Sequence, residues 1–122
     1  MATYNDGIDI PLPAAGSGTF RNHLVAINAS GQAVVPTTAG SQIIGVGMTD
    51  STGAGQAVTV RVAGVAKLLI GATVNEGNSL KNTTSGTGTP TTTTGDEIGA
   101  IALTAGASGN VISVLVTPAT QY

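Results

Sequence analysis

Ala57-Val58-Thr59-Val60-Arg61-Val62-Ala63 alternates aliphatic with polar or small residues over seven positions. Successive side chains of a β-strand point to opposite faces, so Val58, Val60 and Val62 share one face and Thr59, Arg61 and Ala63 the other. The stretch therefore reads as a half-buried strand. The same apolar phase recurs in Ile112-Ser113-Val114-Leu115-Val116. Sliding the chain against itself by 54 positions without gaps lays Leu24–Val62 on Asn78–Val116, with nine identities in 39 positions. Among them are Asn28 on Asn82, Pro36-Thr37-Thr38 on Pro90-Thr91-Thr92, Ile44-Gly45 on Ile98-Gly99, and Gly55 on Gly109. Two related β-units follow, joined by residues 63–77, too few copies for a solenoid.

Outward from these runs, short aliphatic segments alternate with turn signals. Strands are predicted at Thr19–Asn28, Gln32–Val35, Ile43–Thr49, Ala57–Ala63, Val65–Ile70, Ser79–Asn82, Ile98–Leu103 and Val111–Thr117. Ser30-Gly31, Ala39-Gly40, Gly53-Ala54-Gly55, Glu76-Gly77-Asn78 and Ser108-Gly109-Asn110 punctuate them. Such spacing predicts an all-β fold, a compact sandwich or barrel of short strands. Composition agrees: 18 glycines and 19 threonines accompany 41% hydrophobic residues in a chain only 8% charged and 2% aromatic. β-Branched residues pack well on a pleated surface, and glycine opens turns. Disordered chains are poorer in aliphatics than this one. The large apolar stock is 28 Val, Ile and Leu plus Phe20, without Trp. A core that thin points to help from neighbouring chains.

The 122 residues fit one domain. Tyr4 to Pro13 alternates polar with apolar but contains Pro11 and Pro13. Proline cannot donate to a central ladder, so this segment is expected to be an extended arm or edge. Residues 1–18 are thus read as arm and linker, 19–122 as a single β domain with repeats at about 24–62 and 78–116. The Thr-rich tract Thr83–Thr94 stands where the first repeat has Val34-Val35. It is expected to form a surface loop or weak edge.

Chemistry is hard to find in this chain. His23 is the lone histidine and there is no cysteine, so no recognisable metal set exists and no disulfide can supplement the core. Asp96 and Glu97 are adjacent and would point to opposite faces of a strand, unlike a catalytic carboxylate pair. No nucleophile elbow, phosphate loop or dinucleotide fingerprint occurs. The expectation is a non-enzymatic protein with no catalytic, cofactor or metal site. A formal charge of −2, with only Arg21, Arg61, Lys67 and Lys81 as scattered cations, disfavours nucleic acid. Met1-Ala2-Thr3-Tyr4 shows neither region of a secretory signal, and no apolar run approaches a membrane span. A soluble chain with no membrane partner is expected. Asn28-Ala29-Ser30 and Asn82-Thr83-Thr84 match the glycosylation sequon, read as accidental in that setting.

Ile43-Ile44-Gly45-Val46-Gly47, Gly53-Ala54-Gly55-Gln56-Ala57-Val58-Thr59-Val60, Gly64, Gly77-Asn78, Ile98–Leu103 and Ala105–Gly109 resemble the capsid cement, or head decoration, proteins of tailed bacteriophages. The resemblance runs from about Thr19 to Val116. After the turn glycines that family often has Glu or Asp, where this chain has Gln56, Asn78 and Asn110. The resemblance implies a structural protein on the outer surface of the virion, binding the major capsid protein of an assembled shell and stabilising it. It also implies self-association, commonly as a homotrimer, with a dimer as the other possibility. Tyr4, Ile8, Ile10, Leu12 and Phe20 are the expected shell contacts, the arm adding a strand to a neighbouring edge, and Arg61 and Lys67 the expected subunit contacts. The alternative is a glycan- or surface-binding β module using Tyr4, Phe20 or Tyr122.

Overall fold

The computed structural model describes residues 7–40 and 42–121. All its regular elements are strands: β1 (Gly7–Pro13), β2 (Leu24–Ile27), β3 (Ala33–Val34), β4 (Gly45–Gly47), β5 (Ala57–Leu69), β6 (Ser79–Asn82), β7 (Gly88–Pro90), β8 (Glu97–Ala102) and β9 (Val111–Gln121). They form one antiparallel sheet in the order β3-β2-β4-β5-β9-β8-β6-β7, with β1 added to β5. The all-β expectation holds.

The two expected strands at 57–63 and 65–70 are one. β5 runs through Gly64, which sits at φ 102°, in the left-handed region that side chains disfavour. There β5 changes partner: Ala57–Gly64 pairs with β1, and Gly64–Leu69 with β9. The expected strand at Thr19–Asn28 shortens to Leu24–Ile27. Before it, Asn22 takes φ 63°, and the N–H groups of Phe20 and Arg21 both donate to Asp50 Oδ1 at 3.1 and 2.9 Å. A side chain that satisfies two successive backbone donors holds a turn against the ladder.

The strand order reads the same from either end once β2, β3, β4 and β5 are matched to β6, β7, β8 and β9. Registers match too. Leu24 pairs Val46 as Ser79 pairs Ile101, and Val46 pairs Arg61 as Ile101 pairs Leu115. The Gly18–Ser51 bridge reappears as Val74–Gly106. The correspondence reaches back to the N-terminal segment, whose Ala14–Ala33 bridge is answered by Ile70–Gly88. The ungapped shift of 54 is therefore corrected. The displacement is 56 residues from Ala14 to Ile70, 55 from Ala33 to Gly88 and 54 from Arg61 to Leu115. Residues 63–77 are not a connector: they hold the second half of β5, the counterpart of β1.

Each half curls until its first strand reaches its third. The bridges Ala14–Ala33 and Ile70–Gly88 mark these meetings, reinforced by Ala15 N–H to Ala33 O at 3.0 Å and Gly71 N–H to Gly88 O at 2.9 Å. Inside the first half pack Ala14, Phe20, Val25, Ala33, Val58 and Val60, with Ile10, Leu12, Val35, Ile44 and Val62 against them. Their counterparts fill the second half: Ala66, Leu68, Ile70, Leu80, Ile112, Val114 and Val116. Into this second core also reach Leu24, Ile43 and Val46 from the first half. Leu24 and its cross-strand partner Val46 lie on the opposite side of their strands from the first core, since Val25, next to Leu24, points into that core. Gly99 makes room for them: a Cβ there would stand 3.0 Å from Leu24 Cδ2 and 3.3 Å from Ile43 Cγ2.

Candidate interaction surfaces

β1 is an edge strand of the chain's own sheet, one of the two forms expected for this segment. Its register with β5 runs from Gly7 on Gly64 to Pro13 on Ala57. Just beyond, Ala14 N–H donates to Gln56 O and Ala14 O accepts from Gly55 N–H, both at 2.8 Å. In an antiparallel pair the residues that exchange bonds alternate, so Ile10 and Leu12 turn their backbone groups toward β5 in step with Ala14. Pro11 and Pro13 occupy the outward positions. They leave that edge without two of its N–H donors, a device that blocks further strand pairing. One edge of this segment is thus taken by β5, and proline removes two donors from the other.

The residues expected at a shell contact separate. Tyr4 lies outside the described residues. Ile8 is 61% exposed. Ile10 and Leu12 are half-buried against the first core, and Phe20, at 4% exposure, is inside it. In this chain Phe20 is a packing residue of the first core. Tyr122 also lies outside the described residues.

Arg61 grips its own chain. Its Nε and Nη2 donate to Asp9 Oδ1 and Oδ2 at 2.7 and 3.1 Å, and Nη1 donates to Val65 O at 2.8 Å. The fork ties β1 to β5 on both sides of Gly64, and the guanidinium hydrogen bonds hold the Asp9 carboxyl below its ordinary value of 3.8. Lys67 is exposed, with Nζ 2.9 Å from Ser113 Oγ on β9. A second acid, Asp96, accepts from Thr91 Oγ1 at 2.7 Å and from Lys81 Nζ at 3.0 Å. The Thr91 hydroxyl, then Lys81, lowers its pKa. This cluster stands where the halves interlock: Glu97 N–H donates to Gly40 O at 3.2 Å, and Asn82 Nδ2 reaches Thr38 O at 2.7 Å.

The Thr-rich tract is ordered around the short strand β7 at one end of the sheet. Both sequon asparagines have structural duties. Asn28 Oδ1 accepts from the N–H groups of Ser30 and Gln32 at 2.9 Å, and Asn82 is fully buried. His23 Nδ1 lies 2.8 Å from Arg21 O, a contact in which the ring N–H donates. Among the described residues no group of three His, Cys, Asp or Glu stands together.

Gln56, Asn78 and Asn110 close three turns built alike. Each follows a glycine at positive φ, Gly55 at 85°, Gly77 at 84° and Gly109 at 90°. Asn78 Oδ1 accepts from Asn75 N–H at 2.9 Å and Asn110 Oδ1 from Ala107 N–H at 2.8 Å. Gln56 Oε1 accepts from the backbone and hydroxyl of Thr52. What these positions supply is a side-chain oxygen, which Glu or Asp supplies equally well. Departure from acidic residues there leaves the turn chemistry intact.

The sequence reading missed an apolar patch on the outer face of the second half. Leu103 is 44% exposed, Val111 48% and Leu115 39%. Leu115 lies between Ile101 on β8 and Val65 on β5, both half-buried. The signal was present in β9, where Val-Ile-Ser-Val-Leu-Val is apolar on both faces. In the first half the matching row is Val46, Arg61 and Asp9.

The crystal structure of the head fiber gp8.5 N base in bacteriophage phi29 has a similar fold, with a TM-score of 0.67, 13% sequence identity, and coverage of 90% of this chain and 93% of that one. No family model matches the chain, nor does any curated protein.

Proposed function

We propose that this chain is a non-enzymatic structural protein of a bacteriophage virion, bound in many copies to the outside of the assembled capsid and stabilising it. The observation that carries the reading is the fold shared, over nearly the whole of both chains, with the base of a phage head fiber. The glycine-punctuated motifs that resemble head decoration proteins point the same way. The partner in this reading is the major capsid protein in its lattice arrangement, and the chain acts as a homo-oligomer, a trimer by the resemblance. The physical basis is mass action: a protein that binds the assembled lattice but not its dissociated subunits shifts the equilibrium toward the shell. Ile8, exposed on β1, is the described apolar residue of the N-terminal segment still open to such a partner.

The test is co-sedimentation of the purified protein with emptied mature heads of the phage that encodes it, followed by heating of decorated and bare heads. Saturable binding with a higher temperature of head disruption is expected. Failure to sediment with heads under any salt condition would remove the reading.

A further inference from the structure

The two halves of the chain provide an internal comparison, and it isolates one surface. In the first half, Leu24 on β2 and Val46 on β4 form an outward apolar row, and the second half covers them completely: both are 0% exposed within its core. The equivalent row in the second half is Ser79 on β6 and Ile101 on β8, continued on β9 by Leu115 where the first half has Arg61. Among the described residues nothing covers it as the second half covers Leu24 and Val46. Ile101 is half-buried and Leu115 is 39% exposed, with Leu103 and Val111 exposed beside them. The fold does not require apolar side chains there, because the first half carries the Asp9–Arg61 ion pair at the positions of Val65 and Leu115.

We infer that this face, Leu115 with Ile101, Leu103 and Val111, is a docking surface for another copy of this chain. The occupant follows from the chain itself: where Val46, the counterpart of Ile101, is covered, what covers it is a unit of the same architecture. A second copy offers such units again, so the contact within the chain is repeated between chains. Exposed apolar patches of this kind mark interaction sites in soluble proteins. A contact of this unlike-patch type closes a ring when the rotation permits. Lys67 and Ser113 lie on the same face, which places the expected subunit contact Lys67 inside the proposed surface.

Sedimentation velocity of the full chain over a wide concentration range tests this, using Val65→Asp/Leu115→Arg, which transplants the first half's ion pair into the second. The wild type should self-associate reversibly. The double variant should keep its circular dichroism and melting temperature at low concentration while its association weakens by more than about tenfold. A wild type that stays monomeric throughout would overturn the inference, as would a folded double variant that associates unchanged. Binding to phage heads plays no part in this readout, so the shell reading and this one fail separately.

Discussion

Truncating Leu24 to alanine measures how far the two halves depend on one another. Leu24 is fully buried and projects from the first half into the core of the second, over the notch at Gly99. Losing three carbons costs about 0.8 kcal/mol each in transfer free energy, or about 2.4 kcal/mol in all. The cavity adds to this, because Gly99 opposite has no side chain to move into the space. A total of about 3–4 kcal/mol is expected, within the range of buried Leu→Ala substitutions. Ser79, at the equivalent position of the second half, is half-exposed, and Ser79→Ala should change stability by no more than about 0.5 kcal/mol. Urea denaturation at low protein concentration, comparing midpoints at unchanged slope, gives both values. A loss below about 1 kcal/mol for Leu24→Ala, or equal costs at the two positions, would refute the claim that this row is covered in one half only.

Three further outcomes follow from the same geometry. Asn78→Asp and Asn110→Asp should leave the urea midpoint nearly unchanged, because the accepting oxygen is kept, whereas the alanine variants should each lose about 1 kcal/mol. Pro11→Thr/Pro13→Thr restores two outward N–H donors to the free edge of β1, and light scattering on warming should show earlier aggregation than the wild type. Asp9 and Asp96 both have native pKa values below the ordinary 3.8, so the unfolded chain takes up protons first on acidification. The stability they confer is therefore full above pH 3.8 and lost as pH falls through their native values, and Asp9→Asn/Asp96→Asn should flatten that acid slope. Both ion pairs are partly exposed, so salt should weaken the effect.

Much of the fold could be read from local pattern. The Val58, Val60, Val62 alternation set the phase of β5, and Pro11 with Pro13 marked an edge strand because missing donors constrain position whatever the partner. Duplication was visible in the shared phase of 58–62 and 112–116. Its register was not, since single-residue differences in the turns shift the true displacement from 56 to 54 along the chain, and an ungapped comparison fits one value at a time. Nor was burial legible where tertiary contact decides it. Phe20 stood both in the large apolar stock and among the expected shell contacts, and the turn held by Asp50 directs it into the first core. Leu24 and Leu115 are equally apolar in sequence. One is sealed by the second half and the other is open, because that difference depends on which unit has a neighbour.

The capsid-binding claim meets its most direct test in paired cryo-electron microscopy reconstructions of heads made with and without this protein. Additional density is expected at regular lattice positions on the outside of the shell, into which the two-unit β fold fits as a rigid body. Identical outer surfaces in the two maps, or density confined to the interior, would contradict it.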